Sequence, residues 1–392
     1  MERIGIYGGT FNPPHIGHIT AAAQAVEVLC LDRLLLIPGR IAPHKQLPGN
    51  SATPEQRLDM LRIAAKGCPK AEVSDVELKR EGISYTYLTV EQLRQKYPDA
   101  ALYLLMGTDM FLSFLSWREP EKILENVTLA VLYRGDKGEA AAIEAQKAKI
   151  EAMGAAVVLV KNDVVNISST QMRRLLAFRC AGELLPEGVL DYIREHRLYD
   201  TRAPWKKLPM EQLEQVVISL LNPNRVAHVL GCRDTAVQLA KHWGADETDA
   251  ARAGILHDIT KAIDGPLQLT LCEAYGKILS AFSRKYPKTL HALTGSLVAE
   301  RIFGENEAVV SAIESHTTGK ANMNLLEKII YIADYIEPNR TIPGVEELRH
   351  LAFTDIDAAM KLGLEMTLEH LNRQGAEVSH ESQEALAWLN RN

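Results

Sequence analysis

Short apolar runs without alternation mark the first half of the chain. Runs that are continuous rather than alternating are typical of strands buried on both faces of a parallel sheet. Strands are predicted over Ile4–Tyr7, Leu34–Pro38, Leu102–Met106, Thr128–Tyr133 and Val157–Val160. The stretches between them predict crossover helices over Ile19–Leu29, Pro54–Ala65, Thr89–Lys96 and Glu139–Met153. Residues 1–200 are therefore expected to form a doubly wound α/β domain with a parallel sheet.

From about Met210 the pattern changes to helical spacing with almost no strand-like run. An amphipathic helix is indicated at its start by apolar residues at i, i+3, i+4 and i+7, namely Leu213, Val216, Val217 and Leu220. Residues 211–392 are expected to form an all-α domain. Residues 201–210 contain Pro204 and Pro209 and have no period, which predicts a short linker between the two domains.

The charge balance argues against a nucleic-acid partner. Residues 1–200 carry 24 basic and 25 acidic side chains, and residues 201–392 carry 20 and 25, which gives the whole chain a net charge of −6. A protein that binds nucleic acid through backbone phosphates normally presents a cationic surface. Small phosphorylated ligands stay compatible with this balance, because a few local amides and cations are enough to bind them.

The cysteines and the apolar runs predict a cytoplasmic protein. The five cysteines are odd in number and scattered, and none forms a CxxC pair, which argues against a disulfide framework or a thiolate zinc site. The chain starts without a signal-peptide pattern. No apolar run approaches the roughly 20 residues that a membrane helix needs, so no membrane partner is expected.

A glycine-rich turn with two histidines follows the first predicted strand. It reads Gly8-Gly-Thr-Phe-Asn-Pro-Pro-His-Ile-Gly-His18 and precedes a helix, which is where an α/β sheet binds phosphates. Glycines let the backbone approach a phosphate closely. The substrate-binding residues expected here are Gly8, Gly9, Thr10 and Phe11. His15 and His18 are candidate catalytic residues, because both imidazoles can reach one triphosphate and stabilise the charge that develops there.

This motif resembles the HxGH nucleotidyltransferase superfamily, and specifically the bacterial nicotinate-nucleotide adenylyltransferases, over about residues 3–199. Ile167-Ser-Ser-Thr-Gln-Met-Arg173 is similar to the second signature of that family. The resemblance implies a Rossmann-like fold, ATP with Mg²⁺, and transfer of an adenylyl group to nicotinate mononucleotide. It also implies that Ser168, Ser169, Thr170 and Arg173 hold the ATP phosphates. Ser168 or Ser169 is expected to cap a helix there.

Further segments resemble the part of the family that binds the acceptor and the adenosine. By this resemblance Lys45 in Pro43-His-Lys45 contacts a phosphate, and Gly107 and Asp109 bind the adenosine ribose at the end of the Leu102–Met106 strand. Trp117 and Arg118 would lie near the pyridine ring, and Thr86 in Ser84-Tyr-Thr86 near the nicotinate carboxylate. Two positions depart from the family pattern: Asn12 and Leu88 each stand where an aspartate is common.

The helical half contains a second candidate site, made of histidines and aspartates within residues 228–334. Its predicted metal ligands are His228, His257, Asp258, His291, His316 and Asp334. His257 and Asp258 are predicted near the end of a helix over Ala250–Ile259, where successive side chains can lean on one metal ion. Imidazole and carboxylate ligands without cysteine suit iron, manganese or another divalent metal. Six ligands allow two ions bridged by one carboxylate.

This ordered set resembles the HD phosphohydrolase superfamily, and more closely the bacterial HD-type symmetrical bis(5′-nucleosyl)-tetraphosphatases, over about residues 213–380. The segments that carry the resemblance are Arg225-Val-Ala-His-Val-Leu, Leu256-His-Asp-Ile-Thr-Lys, His291-Ala-Leu-Thr-Gly, Glu314-Ser-His-Thr-Thr-Gly-Lys and Ile332-Ala-Asp-Tyr-Ile-Glu-Pro-Asn-Arg340. The resemblance implies two iron ions, diadenosine tetraphosphate as substrate and two ADP as products. Lys261 and Arg340 would be cationic partners of the phosphate chain, and Lys261 a candidate catalytic acid for the leaving group.

Two other interpretations stay open from sequence alone. The first keeps both folds but assigns another acceptor to the first domain or another nucleotide to the second. In the other interpretation, the helical half is a nucleotide-sensing regulatory module of the adenylyltransferase. The complete set of metal ligands argues against this interpretation, because binding a nucleotide without hydrolysing it would not require them. The sequence also leaves open a homo-oligomer.

Overall fold

The computed structural model describes residues 1–41, 47–133, 137–162 and 167–391. Lys45, predicted to contact a phosphate, lies outside the described residues. The chain divides into two compact units, Met1–Arg202 and Ala203–Asn392. None of the described helices is long and apolar enough to cross a membrane.

The first unit is built around one parallel sheet of six strands, which confirms the predicted doubly wound α/β fold. The strand order is β3-β2-β1-β4-β5-β6. The strands are β1 (Arg3–Gly9), β2 (Arg33–Pro38), β3 (Ala71–Val73), β4 (Ala101–Gly107), β5 (Thr128–Tyr133) and β6 (Val157–Lys161). The central runs are aliphatic because helices cover both faces of the sheet, and Ile4, Leu104, Leu129 and Val131 are almost fully buried.

Among the described residues, eight α-helices connect and follow these strands. They are α1 (Ile16–Val28), α2 (Pro54–Ala65), α3 (Thr86–Lys96), α4 (Thr108–Leu112), α5 (Pro120–Leu124), α6 (Lys137–Ala152), α7 (Ser169–Ala177) and α8 (Val189–Glu195). The start of α2 shows how local chemistry fixes a boundary. Thr53 and Gln56 form a reciprocal capping box, and Pro54 occupies the first turn, where its missing N–H costs nothing.

The order of the strands places the candidate site of this unit. β1 pairs with β2 on one side and with β4 on the other, so the strand order reverses at β1. Ligands of open α/β sheets bind at the carboxyl ends of the strands at such a switch point. Gly8 and Gly9 end β1 and Gly107 ends β4, which brings both predicted glycine segments to the same edge of the sheet.

The second unit is helical throughout its described residues, which confirms the predicted all-α class. Its helices are α9 (Met210–Leu220), α10 (Pro223–Trp243), α11 (Glu247–Leu256), α12 (Gly265–Ala274), α13 (Ala281–Lys285), α14 (His291–Val298), α15 (Glu307–Ser315), α16 (Leu325–Ile336), α17 (Val345–Ala352), α18 (Ile356–Arg373) and α19 (His380–Leu389). The predicted helix Ala250–Ile259 ends earlier than expected, since α11 stops at Leu256 and His257 is its C-cap.

One glycine sets how closely α10 and α11 approach. A Cβ on Gly254 of α11 would lie 2.7 Å from Cα of Arg233 in α10, which is too close for any side chain. The absence of a side chain therefore allows the two helices to pack backbone to backbone. This contact brings His228 of α10 next to His257 at the end of α11, with 3.3 Å between their Nε2 atoms.

Part of the predicted linker 201–210 packs onto the helical unit. The indole of Trp205 is 8% exposed and stacks on the ring of Phe303, with the planes 3° apart. The Lys207 N–H donates to the carbonyl of Phe303 over 2.7 Å, and Arg252 Nη1 donates to the carbonyl of Leu208 over 2.9 Å.

We expect the chain to be divisible after residue 202 into fragments 1–202 and 203–392 that fold separately. Urea denaturation of each fragment measures this, and aggregation of both fragments would contradict their independence.

Within the second fragment, Trp205→Ala should lower the free energy of unfolding by about 3 kcal/mol, because a buried indole is lost. Urea denaturation of the variant and of its parent fragment measures the difference. A Trp205→Ala fragment as stable as its parent would contradict the packing.

Candidate active sites

The two histidines of the first motif are held at the N-terminus of α1. His15 is the N-cap residue, and its backbone N–H donates to Nδ1 of His18 over 3.2 Å. The two imidazole rings lie against each other, with 3.7 Å between their centroids and their planes tilted by 32°. Because Nδ1 of His18 accepts this hydrogen bond, Nε2 is the nitrogen that carries the proton whenever the ring is neutral.

His15 differs from His18 in its surroundings. The His15 side chain is 3% exposed, and both of its ring nitrogens are buried without a hydrogen-bond partner among the described residues. Burial, and then the neighbouring His18, lower the pKa of His15 well below its ordinary value. His15 is therefore neutral at physiological pH, whereas a lone buried imidazolium would carry a large desolvation penalty.

The second motif contacts the first directly. Ser168 is the N-cap of α7, one of the two caps expected, and its side chain accepts from the Gln171 N–H over 3.2 Å. Ser169 Oγ donates to the carbonyl of Pro13 over 3.1 Å, and Arg173 Nη1 donates to the carbonyl of Asn12 over 2.8 Å. Arg173 also donates from Nη2 to Thr170 Oγ1. The first turn of α7 thus lies beside the loop that enters α1, so the N-termini of two helices face one region.

Two residues that sequence reasoning missed support this loop. Arg57 is 1% exposed and donates to the carbonyls of Thr10 and Arg40. The Tyr199 hydroxyl donates to Asn12 Oδ1 over 2.7 Å, and Asn12 Nδ2 donates to Ser51 Oγ over 3.0 Å. Asn12 departs from the family aspartate, and here both ends of its amide have partners. No local sequence signal marks Arg57 or Tyr199, because their partners lie far along the chain.

The segments predicted to bind the acceptor come together at the start of α3. Thr86 is the first residue of α3, three residues earlier than expected, and Tyr85 is its N-cap. The guanidinium of Arg118 lies over the Tyr85 ring, 4.8 Å from its centroid. Trp117 is half-buried and packs against Phe114, with 5.4 Å between the ring centroids. Asp109 is exposed in the first turn of α4, directly after β4.

The six predicted ligands of the helical unit converge. His228, His257 and Asp334 form one group of donor atoms within 4.8 Å of one another, and His257, Asp258 and His316 form a second group. His291 joins them, since its Nε2 lies 3.5 Å from Asp258 Oδ1. Asp258 is 1% exposed, and its Oδ1 has no hydrogen-bond partner among the described residues.

All four imidazoles present Nε2 to this cluster because Nδ1 is occupied elsewhere. Nδ1 of His257, His291 and His316 is hydrogen-bonded to the carbonyl three residues earlier in the chain, at 2.8, 3.0 and 2.7 Å. Nδ1 of His228 is hydrogen-bonded to Glu337 Oε1 at 3.1 Å. Carbonyl and carboxylate oxygens only accept, so each Nδ1 carries a proton and Nε2 is the ring nitrogen left to bind a cation. Metal-binding histidines are oriented in this way.

The charge state of the cluster also suits a cation. Burial alone would raise the pKa of Asp258, but the adjacent His257 and the hydrogen bonds around the carboxylate hold that pKa well below its ordinary value. Burial alone would also raise the pKa of Asp334, but that pKa is lowered chiefly by His228, whose Nε2 lies 3.1 Å from Oδ1 of this carboxylate. Burial lowers the pKa of His291 to about 3. Burial would lower the pKa of His257, but Cys232 and Asp258 raise it well above its ordinary value. Two buried carboxylates among four imidazoles, with one orphaned carboxylate oxygen, fit a divalent metal centre.

Three cations surround this centre, two of which were predicted. Lys261 Nζ lies 2.9 Å from His291 Nε2, and Arg340 Nη2 lies 2.7 Å from Asp334 Oδ1. Arg225, which was missed, donates from Nε to Asp258 Oδ2 over 2.6 Å. Thr317 was missed as well, and its Oγ1 lies 3.1 Å from His291 Nε2. Arg225 is a charged residue three positions before His228, and this spacing could have indicated that it lies near the cluster.

Comparison with known proteins relates each unit to a family. Residues 6–175 match the cytidylyltransferase-like family model, and residues 225–339 match the HD domain model. A probable nicotinate-nucleotide adenylyltransferase of Pseudomonas syringae pv. tomato is 39% identical over 216 residues, which is 52% of this chain and 95% of that protein. This chain belongs to the nicotinate-nucleotide adenylyltransferase family. Within that family it carries an additional HD domain, whose fold class implies a divalent metal.

A relative from Mycoplasma pneumoniae matches this chain along almost the whole length of both proteins. It is 29% identical over 373 residues, covering 93% of this chain and 98% of the relative, and is described as a probable nicotinate-nucleotide adenylyltransferase/Ap4A hydrolase. A crystal structure from Clostridium acetobutylicum, described as an HD superfamily hydrolase involved in NAD metabolism, is 37% identical, covers 47% of this chain and 99% of that one, and has a TM-score of 0.46.

Neutral, buried His15 predicts that the first unit loses stability in acid. Its folded pKa lies below the unfolded value of 6.5, so below that pH the unfolded chain binds a proton that the folded chain does not. As the pH is lowered below 6.5, the free energy of unfolding should therefore decrease, and this group should contribute up to about 1.4 kcal/mol of that decrease per pH unit. Urea titrations of fragment 1–202 between about pH 7 and pH 5 should show a flatter dependence for His15→Gln. Equal slopes in variant and parent would show that His15 is not the group responsible.

Proposed function

We propose that the chain is a bifunctional enzyme of nucleotide metabolism. Its first unit transfers the adenylyl group of ATP to nicotinate mononucleotide, giving deamido-NAD and pyrophosphate. The observation that supports this assignment is the direct contact between the two motifs, made by Arg173 and Ser169 on the loop of residues 12–13. The helical unit hydrolyses diadenosine tetraphosphate symmetrically, and its support is the buried six-residue cluster.

In the first reaction a phosphate oxygen of nicotinate mononucleotide attacks the α-phosphorus of ATP, and pyrophosphate leaves. ATP enters as its Mg²⁺ complex. The Nε2–H of His18 donates to a phosphoryl oxygen and stabilises the negative charge that grows in the transition state. Arg173 and the amides at the starts of α1 and α7 bind the triphosphate, with Gly8, Gly9, Thr10, Phe11, Ser168, Ser169 and Thr170 around it. His15 packs on His18 and fixes its ring.

Acceptor and adenosine occupy the remaining segments of the same sheet edge. Trp117 stacks on the pyridine ring, and Thr86, at the N-terminus of α3, meets the nicotinate carboxylate. Arg118 lies over the Tyr85 ring and neutralises the negative charge of the nicotinate carboxylate. Gly107 and Asp109 at the end of β4 bind the adenosine ribose, and Lys45 contacts a phosphate.

In the second reaction water attacks an inner phosphorus of diadenosine tetraphosphate and ADP is the leaving group, so both products are ADP. His228, His257, Asp258, His291, His316 and Asp334 hold two divalent ions, which we propose to be iron. When bound, such ions polarise phosphoryl oxygens and make water a better nucleophile at neutral pH. Arg340 and Arg225 bind the phosphate chain. Lys261 lies at the cluster and has a lowered pKa because its ammonium is partly desolvated, which suits it to protonate the leaving ADP.

Replacing His18 with Ala should reduce adenylyl transfer by about 100- to 1,000-fold, since one preorganised donor to the transition state is lost. Formation of deamido-NAD from ATP and nicotinate mononucleotide measures it. His196→Ala is a matched control, because that ring is in the same unit but stacks on Tyr192 and is exposed. Synthesis at the wild-type rate in His18→Ala would refute the assigned role.

Replacing Asp258 with Ala should remove bound metal and hydrolase activity together while leaving adenylyl transfer intact. The metal content should fall from about two ions per chain towards zero, because this carboxylate lies between the two groups of ligands, with Oδ2 3.7 Å from His228 Nε2 and Oδ1 3.8 Å from His316 Nε2. Asp357→Ala, which removes an exposed carboxylate of α18, should change neither. Elemental analysis and nucleotide chromatography measure both effects.

The wild-type products test the proposed cleavage site separately. ADP should be the only nucleotide formed from diadenosine tetraphosphate. AMP with ATP would mean asymmetric cleavage and would overturn the placement of the substrate. Tight binding without turnover in the metal-loaded protein would favour the nucleotide-sensing interpretation instead.

A further inference from the structure

His228 is oriented differently from the other three histidines of the cluster. The Nδ1 atoms of those three are hydrogen-bonded to backbone carbonyls, whereas Nδ1 of His228 donates to the carboxylate of Glu337. Glu337 is 1% exposed and follows the last residue of α16 as its C-cap. The same helix end therefore supplies Asp334 to the cluster and Glu337 to the ring of His228.

The Glu337 carboxylate is held by partners on both oxygens. Oε1 accepts from His228, and Oε2 accepts from the backbone N–H and from Nδ2 of Asn339, each over 2.8 Å. Asn339 Nδ2 also donates to the carbonyl of Ala227 in α10 over 3.2 Å. A carboxylate fixed in this way holds the imidazole in one orientation and one tautomer, and it strengthens the ring as a ligand by attracting its Nδ1 proton.

A glycine in α10 makes room for the Glu337 carboxylate. Gly231 lies in the middle of a 21-residue helix, a position where glycine is among the least favourable residues. A Cβ at this position would lie 2.6 Å from Glu337 Oε2 and 3.3 Å from Asn339 Nδ2. Glycine at position 231 is thus what allows the carboxylate to reach His228.

We infer that Glu337, admitted by Gly231, is a positioning residue that sets the metal affinity of the centre through His228. The inference rests on the proposed metal-dependent function of the helical unit. Glu337 contacts a predicted ligand and does not itself reach the proposed substrate. Loss of such a partner of a metal-binding histidine typically weakens metal binding about 10- to 100-fold.

Two variants disturb the same contact by different routes. Glu337→Gln removes the charge but keeps the shape, and Gly231→Ala keeps the charge but displaces the carboxylate. Glu327→Gln is the matched control. Glu327 is a carboxylate of the same helix that is 2% exposed, but its partner is Lys320 and it is not part of the cluster.

The full-length chain, freed of metal and titrated with Co²⁺ against a competing chelator, gives the affinity of each variant. Glu337→Gln and Gly231→Ala should each bind Co²⁺ about 10- to 100-fold more weakly and change the visible absorption of the bound ion. The double variant should be no weaker than the weaker single variant, because both changes break one contact. Glu327→Gln should bind Co²⁺ as the wild type does.

Circular dichroism of the metal-free proteins separates positioning from folding, since a positioning role predicts folded variants with weak metal binding. If either variant unfolds, the other still decides the question. Wild-type Co²⁺ affinity and spectrum in a folded Glu337→Gln or Gly231→Ala protein would overturn the inference alone. A wild-type chain that binds no Co²⁺ would overturn the proposed metal centre and this inference together.

Discussion

The hydrogen-bond partner of Nδ1 decides what Nε2 of an imidazole can do. In the helical unit carbonyl and carboxylate oxygens accept from Nδ1, so Nε2 is the ring nitrogen left to bind a cation. At the start of α1 the relation is reversed. There a backbone N–H donates to Nδ1 of His18, so a neutral ring carries its proton on Nε2. One side-chain type thus has opposite roles in the two units.

The backbone enforces both choices locally. His257 and His316 are helix C-caps, and His291 begins α14 after a short helical turn. In each case the carbonyl three residues earlier is within reach of Nδ1. His18 is the third residue of α1, and its ring therefore lies beside the N–H of the N-cap residue His15. The ring directions are consequences of position relative to helix ends, and the ends are fixed by ordinary capping and packing.

The sequence predicted the fold where a pattern extends over several residues. Five of the six strands and both fold classes follow from apolar periodicity. β3 was missed because it has three residues, none of them buried, at the edge of the sheet, which gives too short a pattern to recognise. The start of α3 was placed three residues late, since its first turn carries Thr86 and Tyr87 without the apolar spacing seen from Thr89 onward. The end of α11 was placed late because His257 and Asp258 continue the buried pattern beyond the last helical residue.

The site residues divide in the same way. Glycines, histidines and aspartates within compact motifs could be named from the sequence, and their roles stay predictions. The sequence did not identify four residues that contact these motifs, namely Arg57, Tyr199, Arg225 and Glu337. Glu337 is 109 residues from His228, and such pairing leaves no local trace in one sequence. Gly231 could have given a hint, because an unexplained glycine inside a long helix usually indicates a close approach.

The hydrogen bond from Tyr199 to Asn12 spans 187 residues. During synthesis the loop of residues 8–18 leaves the ribosome long before Tyr199, whose hydroxyl holds Asn12. Arg173, the other side chain anchored on that loop, is also late. The nascent first unit therefore cannot complete the contacts of this loop until Arg173 and Tyr199 have been made, so the first of the two motifs takes its final form only after the second has been translated.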